Sequence, residues 1–152
     1  MFRLEISTHF SAAHALLIQG WREPLHGHDW HVVVTVEGPK LDADGLLCDF
    51  HYVHAHLVEI VRPFQNTNLN DQEPFRSGVN PSAERVAWHI ATVLSERLET
   101  RAHIEPKHHD GPAGGARVFA PAVGVRICGV RITEAVGCAA IYEPPTKSPL
   151  PT

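Results

Sequence analysis

Residues 21–36, WREPLHGHDWHVVVTV, decide how this chain reads. The apolar, β-branched run from Val32 to Val36, broken only by Thr35, suits a β-strand that begins at about Gly27. Residues two apart on a strand share a face, so His26 and His28 can present both imidazoles to one metal ion. Gly27 between them faces the other way, leaving room for close backbone approach and for a bend at the strand's start.

A catalytic zinc site takes three protein ligands and keeps a fourth position open. His14 is the candidate third ligand. It follows a stretch in which Phe2, Leu4 and Ile6 alternate with Arg3 and Glu5, the pattern of a first strand. Antiparallel pairing of the two strands, through a loop at about Ile18 to Leu25, brings His14 beside the pair, and three neutral imidazoles suit zinc. Chance works against the motif: twelve histidines in 152 residues give roughly one His-x-His pair at random, and the chain holds two. The second, His54 and His56, falls in a helical pattern, where residues two apart do not face each other. Spacing alone leaves both a metal pair and a solvated pair open.

Composition sets the class. At 152 residues and 43% hydrophobic, the chain forms one soluble domain with a real core, spanning 1–143. No run approaches the roughly 20 apolar residues of a membrane span, and no basic-then-apolar start suggests export, so a cytoplasmic protein is expected. The net charge of -4, without a basic cluster, argues against nucleic acid but allows a phosphorylated small molecule. Cys48, Cys128 and Cys138 stand apart without a C-x-x-C pair and are expected as small core residues.

Beyond the second strand, Gly38, Pro39 and residues 42–45 carry turn chemistry. Val53, Leu57, Ile60 and Val61 then fall at helical spacing until Pro63, with His51, His54 and His56 expected toward solvent or a subunit contact. Residues 64–71 form a polar loop. Asn80 as cap and Pro81 as first residue open a second helix, running to about Thr100 with Val86, Ile90, Val93, Leu94 and Leu98 buried. Residues 102–122, rich in His, Gly, Pro and Ala, read as a long loop in which His108 or His109 is a candidate proton donor. Val123, Val125, Ile127, Val130 and Ile132 make a third strand and Cys138 to Tyr142 a fourth. Residues 144–152 read as a disordered, proline-rich tail.

The sequence Phe10-Ser11-Ala12-Ala13-His14, followed by His26-Gly27-His28, resembles the 6-pyruvoyl-tetrahydropterin and 6-carboxytetrahydropterin synthase family. Further matches follow in order: Gly45-Leu46 with Asp49-Phe50, Leu69-Asn70, Asn80-Pro81-Ser82-Ala83-Glu84, and Val130 to Glu134. The resemblance implies an α+β tunnelling fold, a four-stranded antiparallel sheet with two helices on one face in the order ββααββ. It implies zinc on His14, His26 and His28, and a hexamer of two stacked trimers with the pterin pocket between subunits. It makes Ser82 and Glu84 candidate pocket residues. It also gives Glu134 the role of pterin anchor, since a carboxylate accepts side by side from the ring's amino group and neighbouring N–H.

Two departures bear on mechanism. The family's usual cysteine, four residues before the histidine pair, is Arg22 here, and Glu23 stands three residues before His26. This is similar to the branch in which glutamate replaces cysteine and 7,8-dihydroneopterin triphosphate is cleaved to 6-hydroxymethyl-7,8-dihydropterin, bypassing the aldolase of folate synthesis. The family's Asp-His pair before Leu-Asn is replaced by Gln65 and Asn66, neither of which is an acid or base near pH 7. Glu23 is therefore the candidate catalytic base. The alternatives are a pyruvoyl- or carboxy-forming synthase, a non-catalytic pterin-binding protein, and a histidine-rich metal-binding domain, which leaves Glu134 unexplained.

Overall fold

The computed structural model describes residues 1–102 and 124–146. In chain order the elements are β1 (Phe2–His14), β2 (Leu17–Ile18), β3 (Trp21–Arg22), β4 (His26–Gly38), α1 (Phe50–Val61), β5 (Thr67–Asn68), α2 (Ala83–Ala102), β6 (Arg126–Ala135) and β7 (Cys138–Tyr142). His103, His108 and His109, the rest of the expected 102–122 loop beyond residue 102, and tail residues 147–152 lie outside the described residues.

β1 and β4 pair antiparallel over their full thirteen residues, from Phe2 opposite Gly38 to His14 opposite His26. The sheet order is β5-β1-β4-β6-β7. The expected four antiparallel strands are all present, and the expected α+β plan with two helices holds. A fifth, β5, adds two residues parallel to β1, held where Asn66 N–H donates to Ser11 O at 2.6 Å and Gln65 Oε1 accepts from Ser11 N–H at 3.2 Å. The 18–25 connection is not a plain loop, since β2 and β3 form a short hairpin within it.

Period-2 alternation puts Ile6, Phe10 and Ala12 of β1 and Trp30, Val32, Val34 and Val36 of β4 on one buried face. Phe10 and Trp30, directly opposed, stack at 5.7 Å and 3°. α1 lies over β1, α2 over β6 and β7, and Val53, Leu57, Val86, Ile90 and Leu94 complete the core. The opposite face is polar. There Arg3 and Arg126 both pair with buried Glu37, tying β1 and β6 to β4.

The third long strand starts at Arg126, after Val125, and Val123 lies outside the described residues. Ile127 and Val130 differ in parity, yet both are buried, because a bulge at Cys128 slips the register between Thr35–Gly129 and Val36–Ile127. α2 starts at Ala83, two residues after the expected opening. Its carbonyl and hydroxyl cap is Ser82, which accepts Val86 N–H at 2.9 Å and Arg85 N–H at 3.4 Å. Asn80 is engaged elsewhere, as described below. Of the cysteines only Cys48 is a core residue, its thiol pushed up to about 11 by burial. Cys128 is half-buried and Cys138 exposed, because both sit at register slips. His51 and His54 face solvent and His56 is half-buried against Tyr52. The described start of the tail, Pro144 to Thr146, lines a groove with Ala91, Thr92 and Ser95 of α2.

Candidate active site and metal centre

The buried face continues past Phe10 and Trp30 to the end of the β1–β4 ladder, and there its residues are histidines. His14 stands opposite His26, and His28 stands opposite Ala12. All three occupy even positions, on the face that carries the core. Ring centroids are 4.7 Å apart for His14–His26, 5.2 Å for His14–His28 and 4.8 Å for His26–His28. Trp30 walls the group, edge-on to His14 at 4.8 Å and to His28 at 5.8 Å. β4 begins at His26 itself, one residue before the expected start, so both histidines of the pair are in the strand. Gly27 gives less than its place suggests: an added Cβ would meet only Ala12 O, at an ordinary 3.8 Å.

The ring orientations are set by backbone carbonyls. His14 Nδ1–H donates to Pro81 O at 2.8 Å and His26 Nδ1–H to Pro24 O at 2.9 Å. Each bond fixes the tautomer that leaves a lone pair on Nε2, as metal-binding histidines require. His14 Nε2 and His28 Nε2 are buried and have no hydrogen-bond partner. Burial pushes His28 below the ordinary histidine range, against the opposing pull of Glu134, so its ring is neutral near pH 7. One donor atom from each of His14, His26, His28 and Glu134 lies within 4.8 Å of the others. Orphaned imidazole nitrogens converging with a carboxylate fit a divalent metal of zinc's type.

Glu134 reaches this group from β6. The register passes from Thr133–Ala139 to Ala135–Cys138, so Glu134 is the extra residue of a second bulge and its side chain is released from the ladder. Its Oε1 lies 3.4 Å from His28 Nε2 and 3.9 Å from His14 Nε2.

Glu23 is placed by the hairpin. Its Oε1 accepts Leu16 N–H at 2.9 Å and lies 3.8 Å from His26 Nδ1, while its own N–H donates to Leu16 O at 3.0 Å. Two asparagines secure the same segment. Asn70 accepts from Ala15 N–H at 2.8 Å and donates to Ala15 O at 2.9 Å. Asn80 does the same to Leu17, at 2.9 and 3.1 Å. Besides its pairing with β3, the segment leaving His14 thus has the backbone groups of Ala15 and Leu17 satisfied by side chains. Neither asparagine was legible as a clamp, since both bonds span more than fifty residues; only their place in Leu69-Asn70 and Asn80-Pro81 singled them out.

Ser82 and Glu84 open α2 next to Pro81, whose carbonyl holds His14, with Glu84 exposed. Gln65 and Asn66 are bound to the Ser11 backbone and to each other at 3.1 Å. Arg22 donates to Ala15 O at 3.3 Å.

Residues 3–108 match the sequence profile of 6-pyruvoyl tetrahydropterin synthase. The chain belongs to that family. The dihydroneopterin monophosphate aldolase of Pyrococcus furiosus is 33% identical to this synthase-family member over 89 residues, 59% of this chain and 71% of that one. The 6-carboxy-5,6,7,8-tetrahydropterin synthase of Bacillus subtilis is 33% identical over 105 residues, 65% of this chain and 69% of that one. The fold matches the solved 6-pyruvoyltetrahydropterin synthase of Plasmodium vivax, studied as a variant with a catalytic glutamate replaced by alanine. That match has a TM-score of 0.62 at 16% identity, over 93% of this chain and 96% of that one. The α+β architecture is therefore the family's tunnelling fold, and this synthase-family member is an enzyme, a lyase acting on pterins.

Proposed function

We propose that this enzyme cleaves the side chain of 7,8-dihydroneopterin triphosphate to 6-hydroxymethyl-7,8-dihydropterin, with zinc on His14, His26 and His28 and Glu23 as the base. The observation that carries the reading is the Glu23 carboxylate, 3.8 Å from a metal-site histidine in a segment without cysteine. Zinc, when held there, supplies Lewis acidity that lowers the pKa of the side-chain hydroxyls. Glu23 takes the proton of the second side-chain hydroxyl. The bond between the first and second side-chain carbons breaks, and its electron pair passes into the ring's C=N system. The phosphorylated two-carbon fragment leaves as an aldehyde, and a proton delivered to the remaining carbon completes the hydroxymethyl product. No oxidant or added water is needed.

Two relatives lend support from different sides: one carries the name of an aldolase, the other is described as having a catalytic glutamate. Against a synthase reading stand Arg22 at the cysteine position and the amides Gln65 and Asn66, already engaged in holding β5. The pterin itself meets carboxylates at two ends. Glu134, 3.4 Å from His28 Nε2, is suited to the side-chain end of a substrate held at the histidines, which leaves the ring's far edge to other groups. Within one pocket Glu84 and Ser82, at the start of α2, are the groups for that edge. The anchor role that resemblance gives Glu134 then requires a pocket shared between subunits.

The test is the product, identified by mass, from zinc-loaded enzyme given the tri- or monophosphate of 7,8-dihydroneopterin, beside Glu23→Ala. A hydroxymethyl product, lost in the variant, is expected. A pyruvoyl or carboxy product would overturn the reading.

A further inference from the structure

We propose that Glu134 is the fourth ligand of the resting metal site, closing the position that three histidines leave open. The inference rests on the zinc reading above. Ligand atoms about 2.0–2.1 Å from a tetrahedral zinc stand roughly 3.3–3.4 Å apart. Glu134 Oε1 lies 3.4 Å from His28 Nε2, and 3.9 Å from His14 Nε2. The first separation is that of two ligands on one tetrahedral ion, and the second is about half an ångström longer. They are not hydrogen bonds, since both Nε2 atoms lack any hydrogen-bond partner. All four donors fall within 4.8 Å of each other, and the carboxylate is delivered by a bulge, a device that re-aims one side chain out of a ladder.

A site closed in this way discriminates among incoming ligands. A single-atom donor such as water or azide has to displace a carboxylate anchored on its own strand. A vicinal diol offers two oxygens on one frame, and its second contact forms at high effective concentration. Glu134 therefore selects for chelating side chains, and, once displaced, its carboxylate stands beside the substrate's reacting end.

The experiment uses the full chain, stripped and reloaded with Zn2+ or Co2+, as wild type, Glu134→Gln and Glu134→Ala. Zinc affinity is read by competition with a chromogenic chelator, and access to the metal by azide titration of the cobalt absorption bands. Both variants are expected to bind zinc about tenfold or more weakly, and cobalt-loaded Glu134→Ala to take up azide at concentrations about tenfold lower than wild type. Unchanged zinc affinity with equal azide response in all three proteins would overturn the proposal and leave the three-histidine site standing. A wild-type cobalt spectrum that azide perturbs as readily as an open three-histidine site overturns it even where a variant fails to fold. A wild-type chain that retains no metal after loading overturns the zinc reading and this inference together.

Discussion

At the scale of the residue, Glu23 has two tasks that compete for one carboxylate. One oxygen accepts Leu16 N–H, a bond that holds the hairpin, and the proposed chemistry asks the same group to accept a proton. Glutamine can do the first and not the second. Glu23→Gln is therefore expected to keep the fold and the metal while losing about 10²- to 10⁴-fold in turnover. Glu23→Ala should lose turnover and also about 1–3 kcal/mol, because Leu16 N–H is left without its acceptor. Denaturant unfolding beside single-turnover rates separates the two effects. Equal stability losses in both variants would mean that the hydrogen bond is not the structural contribution of Glu23.

At the scale of the element, α2 carries a packing contact that is expected to depend on pH. His89 lies on its inner side, against Phe64 and Phe75 at 5.8 and 6.2 Å, and burial pushes its pKa below the ordinary histidine value. The unfolded chain then binds a proton at a higher pH than the folded one. Stability tied to neutral His89 is complete above the unfolded value of about 6.5 and declines as pH falls through it toward the folded value. Urea midpoints are expected to drop between pH 7.5 and 5.5, and the slope to flatten in His89→Gln. A parallel decline in both proteins would assign the pH effect to other groups. The limit of strand pattern also shows at this scale. β6 starts later than its alternation suggests and carries two bulges, and a bulge is invisible to a period-2 pattern except as a break in parity.

At the scale of the whole molecule, the sheet is incomplete. β5 covers only the Ala12–Ala13 end of β1, and β7, with Ile141 64% exposed, forms the other edge. Trp21, Leu17 and Leu25 are exposed on and beside the hairpin next to the metal end. Open edges and exposed apolar groups call for cover, which the hexamer implied by family resemblance would supply. Light scattering is expected to give six times the 16.8 kDa chain mass. A monomer at micromolar concentration would sink that assembly and require each pocket to be complete within one chain. Among the described residues no helix is long and apolar enough to cross a membrane.

Local pattern determined much of this protein. Alternation and β-branching in residues 27–36 announce β4, spacing two apart puts His26 and His28 on one face, and helical periodicity locates α1 and α2. These are interactions between neighbours in sequence, so they are written there. Tertiary structure decided the rest. His14 joins the pair only through a thirteen-residue register, its ring is oriented by a carbonyl 67 residues away, and Asn70 and Asn80 hold its strand across more than fifty. Glu134 arrives at the histidine cluster from a bulge more than a hundred residues beyond them in sequence. The assignment of that carboxylate to ring or metal depends on distances between side chains, and distances between remote residues are set by packing, which no local pattern encodes.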